Sequence, residues 1–313
     1  MTRAFVFPGQ GSQAVGMGKA LAEALPTARH VFQEVDDALE QRLSRLMFEG
    51  PEDELALTAN AQPALMAVSL AVARVLEKDV GLDLKTACRF VAGHSLGEYS
   101  ALCAAGAIAL ADAARLLRRR GQAMQAAVPV GAGAMAALLG LDLDTAKAVA
   151  GEAAGEEVLD AANDNAPGQV VISGHAGAVE RAIELARQKG ARRAILLPVS
   201  APFHCRLMQP AADVMEESLA AVTVRSPAVP LVANVTAAPV REPDEIRRLL
   251  VRQVTGLVRW RECVLYMKGQ EVETLIELGA GKVLTGLARR IDGDLGAAAL
   301  GTPEDIEQFV KTL

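Results

Sequence analysis

A serine stands between two glycines in Gly93-His94-Ser95-Leu96-Gly97, where the apolar stretch Phe90–Ala92 gives way to an alanine-rich amphipathic one from Glu98. Gly-x-Ser-x-Gly between a strand and a helix is the pattern of a nucleophile elbow, because small neighbours permit a turn sharp enough to push the hydroxyl out of the backbone. The competing reading is a serine that only caps the next helix. The apolar strand, the paired glycines and the immediate helix favour the nucleophile. A helix beginning just after Ser95 also points free amides at a developing oxyanion, and the Leu96 N–H is the first such donor.

A serine hydroxyl is a weak nucleophile near neutral pH and needs a base. Four histidines are available. His30 lies in a charged helical stretch and reads as solvated. His94 sits on the elbow itself, where its side chain should point away from the Ser95 hydroxyl, and His175 follows a Ser-Gly turn as a cap or surface residue. His204, in VSAPFHCRLM, follows a strand and a proline turn and precedes a helix. That location is a strand's carboxyl end, the edge of an open α/β sheet where sites assemble. His204 is therefore the candidate base by elimination. Neither Asp213 nor Glu277 has a context that marks it as the acid of a triad.

The elements that must carry these groups follow from periodicity. A strand at Ala4–Phe7 breaks into the loop Pro8-Gly9-Gln10-Gly11, and helical spacing covers Met17–Ala24 and Ala28–Leu46. Pro63 suits the first turn of a helix that runs, apolar nearly all round, to Glu77. Further helices open at Glu98 and Leu110. From about Gly133 the texture changes to strand, helix, two strands around an Asn/Asp/Pro/Gly turn, helix closed by Gly190, and strand. That β-α-β-β-α-β order is a split βαβ, or ferredoxin-like, unit. The chain then returns to α/β character and ends with a strand, a glycine turn and a helix in VETLIELGAGKVLTGLARRI. The first and third segments should form one parallel-sheet domain with helices on both faces.

Composition narrows the functional classes. Of 313 residues, 51% are apolar, enough for a substantial core. The formal charge of −6, with no basic tail and no aromatic–basic interleaving, argues against nucleic-acid binding. Cys88, Cys103, Cys205 and Cys263 show no CxxC pair and no metal-ligand spacing, so they read as reduced cysteines with no metal site. No apolar run reaches membrane-spanning length and the N-terminal one is too short for a signal peptide, so a cytoplasmic protein without a membrane partner is expected.

Several blocks carry a wider resemblance: FVFPGQGSQ, GHSLGEYSAL, RRGQAMQ, GAMAALLGL, NAPGQVVISG, PFHCRLM and ELGAGKVLTGL, in that order. Together they resemble the malonyl-CoA:acyl-carrier-protein transacylases of bacterial fatty-acid synthesis over essentially the whole length. The resemblance implies an α/β-hydrolase-like core, residues 1–127 and 199–313, with a ferredoxin-like insert at 128–198. It implies Ser95 as the acylated nucleophile, His204 as base, and Gln10 with the Leu96 amide as oxyanion hole. Arg120 would pair with the malonyl carboxylate, and the Gln253 backbone carbonyl would orient His204. Asn165 would line the cleft, and Phe203 would crowd an α-methyl branch. On spacing alone Gln10 is a loop glutamine, Arg118–Arg120 a solvated face and Asn165 a turn residue. Partners implied are malonyl-CoA, as a coenzyme A thioester substrate rather than a bound cofactor, and acyl carrier protein, with the enzyme a monomer. Related readings are an acyltransferase of malonate decarboxylase or polyketide systems, and a serine thioesterase or esterase.

Overall fold

In Ala4-Phe5-Val6-Phe7 successive side chains point to opposite faces of a strand, and all four are buried. Phe5 and Phe7 join one apolar core with the helix Thr58–Lys78, while Ala4 and Val6 join another with Trp260, Met267 and Leu284. A strand buried on both faces belongs inside a helix-covered parallel sheet. A computed structural model describes residues 2–313. Its strands are β1 (Arg3–Phe7), β2 (Phe90–Gly93), β3 (Gly133–Leu139), β4 (Leu159–Ala166), β5 (Gln169–His175), β6 (Arg193–Leu196), β7 (Leu231–Ala233), β8 (Ala238–Val240), β9 (Thr274–Leu278) and β10 (Gly296–Leu300).

The larger sheet has the order β10-β9-β1-β2-β7-β8. Its first five strands are mutually parallel, and β8 turns back antiparallel on β7. Phe7 pairs with Gly93, so the loops after β1 and β2 leave the sheet side by side at its carboxyl edge. The second sheet, β4-β5-β3-β6, is antiparallel throughout. The helices Leu143–Ala154 and Ala176–Gln188 cover one of its faces, burying Val149, Ala150, Val179 and Ala182 against Leu138, Val170 and Ile172. Met135 and Val171, on its other face, join the main core. The segment before Trp260 stitches the two sheets together: Asp164 N–H donates to Val258 O and Val258 N–H to Ala162 O, each at 2.9 Å.

Three expectations need correction. The helix around Pro63 starts at Thr58, so the proline lies inside it and a full turn precedes it. That helix is also long and apolar enough to span a membrane by length and composition, yet 78% of its apolar window is buried within the fold. The stretch Ala28–Leu46 is two helices, Pro26–Leu39 and Leu43–Glu49, because Glu40 adopts a left-handed φ of 50° and ends the first.

Candidate active site

Strand β2 ends at Gly93 and the helix Gly97–Ala104 starts four residues later, leaving Ser95 on the bend with φ 53°. Both glycines are there for contact reasons. A Cβ on Gly93 would lie 1.9 Å from the Gly97 carbonyl carbon, and one on Gly97 would lie 2.2 Å from Phe7 O. Ser95 is held in this strained conformation by Asn234, the residue just after β7. The Asn234 side chain accepts from Ser95 N–H and donates to Gly93 O, both at 2.8 Å. Leu96 is the N-cap of that helix; the Gly97, Glu98 and Tyr99 amides are taken up by the carbonyls of His94, Ser95 and Leu96, whereas the Leu96 N–H lies ahead of them at the helix start.

Ser95 Oγ lies 2.7 Å from His204 Nε2, and His204 Nδ1 lies 2.8 Å from Gln253 O. A carbonyl only accepts, so the Nδ1 carries the proton and the Nε2 lone pair faces the serine hydroxyl. Burial first, and the Arg120 charge second, depress the His204 pKa to about 3, so the ring is neutral at physiological pH. His204, like Ser95, has a positive φ, 60°. Strain at both partners of one hydrogen bond marks a geometry the surroundings impose. The strand before His204 is β6 of the antiparallel sheet. The base therefore does not stand at a parallel strand's carboxyl end, but in the connection that returns from the second sheet to the first.

Of Arg118, Arg119 and Arg120, only Arg120 turns inward, and it is 1% exposed. Its guanidinium donates to Ser95 Oγ at 3.1 Å, Gln62 Oε1 at 2.7 Å and Gln253 Oε1 at 2.9 Å. Because arginine can only donate, these contacts set the direction of a chain of hydrogen bonds. Gln62 must present its oxygen to Arg120, so its NH2 donates to Thr58 Oγ1 at 2.9 Å. The Thr58 hydroxyl then donates onward to Gln10 Oε1 at 2.8 Å. With its oxygen occupied, Gln10 has its NH2 left as the donor end at the cleft.

The cleft has a volume of about 520 Å³ and is lined by Gln10, Ser95, Arg120, Asn165, Phe203 and His204, among others. Seven of the eight residues singled out from sequence thus converge here: those six, and Gln253, buried directly behind His204. The eighth, Leu96, contributes its backbone at the helix start. The Asn165 Oδ1, on β4, accepts from His94 Nε2 at 2.8 Å, and the His94 ring packs tilted against Trp260. His30 is exposed. His175 does not cap through its side chain; its Nδ1 accepts the Val158 N–H at 2.9 Å. Glu277 is buried with both oxygens committed elsewhere, accepting from Leu284 N, Thr285 N and Thr285 Oγ1 at the start of a helix, and Asp213 is exposed.

Sequence reasoning missed Thr58, Gln62, Glu98 and Asn234. Thr58 and Gln62 are four apart on the turn ahead of Pro63, and recognising that turn as helical would have placed them on one face. Asn234 had the signal of a polar residue directly after a buried strand. Chemically, the arrangement is a serine whose proton has a neutral acceptor, beside a fixed cation and a helix start: the equipment for acyl transfer from an ester or thioester, with an anchor for an anionic acyl group.

Comparison with known proteins agrees. The model of the acyl transferase domain matches residues 4–290. The chain is 47% identical over 311 residues to the malonyl CoA-acyl carrier protein transacylase of Bacillus subtilis strain 168, covering 99% of this chain and 96% of that one. The crystal structure of acyl-carrier-protein-S-malonyltransferase from Bartonella henselae superposes with a TM-score of 0.97 at 59% identity, covering 100% of this chain and 99% of that one. A malonyl-transacylase solved in complex with a type II PKS acyl-carrier protein has a TM-score of 0.96 at 43% identity, with full coverage of both chains. The chain belongs to the acyl transferase domain family.

Proposed function

We propose that the protein moves a malonyl group from coenzyme A to the phosphopantetheine thiol of acyl carrier protein, through a malonyl ester on Ser95, and so supplies fatty-acid synthesis. One observation carries the reading: Ser95 Oγ is held at once by a neutral imidazole at 2.7 Å and a buried guanidinium at 3.1 Å. The first activates a nucleophile and the second selects an acyl group that ends in a carboxylate.

In the first half-reaction His204 Nε2 takes the Ser95 proton as the oxygen attacks the thioester carbonyl. The Leu96 N–H and the Gln10 NH2 hold the tetrahedral oxyanion, each donor contributing about 3 kcal/mol. The intermediate collapses, the C–S bond breaks, and the imidazolium protonates the departing coenzyme A thiolate. Acyl carrier protein then enters; His204 takes the proton of its thiol, the sulfur attacks the ester, and Ser95 leaves with that proton restored. The Gln253 carbonyl fixes the tautomer throughout without supplying a full negative charge. Arg120 also couples binding to activation. Its charge is one cause of the low His204 pKa, so a malonyl carboxylate that pairs with it raises the basicity of the imidazole when substrate arrives.

The order β4-β5-β3-β6, with both helices on one face, supports reading 128–198 as a ferredoxin-like domain inserted into an α/β-hydrolase-like core of residues 1–127 and 199–313. Asn165 on β4 then lines the cleft from the insert, and Phe203, just past the return to the core, has its ring set to crowd a branched acyl chain. Coenzyme A is a substrate here, not a resident cofactor, and the reaction belongs to the cytoplasm. Intact mass after mixing with malonyl-CoA tests the whole reading: a single malonyl adduct in the wild type, none in Ser95→Ala, and discharge of the adduct by holo acyl carrier protein. A wild-type protein that takes no adduct overturns it.

A further inference from the structure

Glu98 is a carboxylate 1% exposed beneath the elbow, and the transfer steps make no use of it. Its Oε1 accepts the Asn234 N–H at 2.6 Å and its Oε2 accepts from the side-chain NH2 of Gln253. On its far side the same Gln253 amide gives its oxygen to Arg120 at 2.9 Å, and its NH2 also reaches Ser95 O at 2.9 Å. With Glu98 ionised, the amide dipole therefore lies between a buried anion and a buried cation with its ends the right way round. The backbone carbonyl of this residue is the one that holds His204.

We propose that Glu98 is a positioning residue for malonyl transfer: its carboxylate fixes the Gln253 amide, and through it the place of the Arg120 guanidinium beside Ser95. The argument is one of donors and acceptors. Asn234 N–H and Gln253 NH2 both need an acceptor, and a carboxylate supplies two. A neutral glutamine at this position supplies one. The Gln253 amide must then turn over, which brings its NH2 against a guanidinium that can only donate and moves Arg120 off its site. Malonyl donors need that guanidinium and acetyl donors do not, so the two should part company.

This inference rests on the malonyl-transfer reading, and the experiment keeps them separate. Single-turnover loading of Ser95 is measured at about pH 9, above the Glu98 value of about 8 so that its carboxyl is ionised, with malonyl-CoA and with acetyl-CoA for the wild type, Glu98→Gln, and the exchange Glu98→Gln with Gln253→Glu. Expected is a fall of about tenfold or more in the malonyl-to-acetyl ratio for Glu98→Gln. The exchange restores an anion that faces both Arg120 and the NH2 of the introduced glutamine, and so recovers most of that ratio. A folded Glu98→Gln protein with an unchanged or increased ratio overturns the proposal, an increase showing that Glu98 competes with the donor for Arg120. If Glu98→Gln does not fold, a folded exchange protein whose ratio stays down by tenfold also overturns it.

The unaltered protein offers a further readout. Burial pushes the Glu98 carboxyl up to about 8, partly offset by its hydrogen bonds and by Arg120. The charged and titratable groups facing it fall outside that range: Tyr99 on its own helix is pushed to about 12, Cys263 on the helix Trp260–Gly269 is pushed up, His204 stands at about 3, and Arg120 stays protonated. The wild-type malonyl-to-acetyl ratio should rise as pH passes through about 8, and a flat ratio from pH 6 to 9.5 counts against the proposal. Wild-type protein that never takes malonyl would instead defeat the proposed function.

Discussion

Replacing Arg120 with alanine is the sharpest perturbation of the site, because it should divide one enzyme into two behaviours. The guanidinium is 1% exposed and makes three hydrogen bonds, to Ser95, Gln62 and Gln253. Without it, a malonyl carboxylate would meet the oxygen ends of Gln62 and Gln253, two acceptors facing an anion. Removing one partner of a buried charge pair costs about 3–5 kcal/mol. At about 1.4 kcal/mol per factor of ten, kcat/KM for loading from malonyl-CoA should fall by roughly 10²- to 10⁴-fold.

Acetyl-CoA brings no carboxylate, so it loses nothing of this kind. It should even gain, because the second-largest of the causes that depress the His204 pKa is gone and the base is stronger. The assay is single-turnover acylation followed by intact mass, with each donor at several concentrations and thermal melting as the check on folding. Arg120→Lys is the informative companion, since one ammonium cannot span Gln62 and Gln253 as the planar fork does, and malonyl loading should recover only in part. An equal loss with both donors, in a protein that melts like the wild type, would refute the anchor role and leave Arg120 as a structural support for Ser95.

Thr58→Val removes the hydroxyl that holds the Gln10 oxygen, so loading should fall by about tenfold for malonyl and acetyl donors alike, the opposite pattern from Arg120→Ala. Ser95→Gly relieves a left-handed backbone that alanine would keep, and should melt above Ser95→Ala by the equivalent of about 1 kcal/mol. Gly97→Ala, with its Cβ 2.2 Å from Phe7 O, should prevent recovery of folded protein, as judged by soluble yield and circular dichroism. His204 and Glu98 should tilt stability against pH in opposite directions. His204 is held neutral in the fold, so below its unfolded value near 6.5 the unfolded chain binds the extra proton and stability falls towards about 3. Glu98 keeps its proton in the fold up to about 8, so its contribution falls as pH rises from about 4.5 to 8. Denaturant titrations of His204→Gln and Glu98→Gln should each lose the corresponding slope.

What could be read from sequence follows the distance over which each constraint acts. The elbow is local: strand, two glycines and helix lie within fifteen residues, and Gly93 is required by its contact with Gly97 inside that stretch, although the contact that requires Gly97 comes from Phe7 at the end of β1. The β-α-β-β-α-β order was legible for the same reason, since alternation and helical spacing are properties of short windows. Pro63 misled because proline in the first turn is the local preference, whereas packing of Gly121 against Ala59 and Thr58 favours one more helical turn before it. The strand before His204 reads as the last of the β-α-β-β-α-β unit, and the error lay in treating its carboxyl end as an edge of the parallel sheet, because a strand's sequence does not show which sheet its following loop will enter.

The missed residues share a further property that explains why residue type could not reveal them. Asn234 reaches Ser95 across 139 positions of chain, Gln253 reaches Glu98 across 155, and Gln62 reaches Arg120 across 58. Asparagine, glutamine and threonine are ordinary anywhere, and their value here lies only in direction. Arg120 can do nothing but donate, and Glu98, when ionised, nothing but accept. Between these two fixed poles every neutral amide and hydroxyl has one orientation left. From Arg120 the order passes through Gln62 and Thr58 to Gln10, turning an NH2 towards the cleft, and from Glu98 through Gln253 back to Arg120. Burying Arg120, and Glu98 once it is ionised, costs desolvation energy, and what the two secure is polarity: a donor where the oxyanion forms, and a cation where the acyl carboxylate must lie. A hydrolase with a buried acid behind its histidine has no need of that second pole. Its presence, with a neutral carbonyl in the acid's place, is the structural reason to expect an enzyme that waits for an anionic acyl group and hands it on.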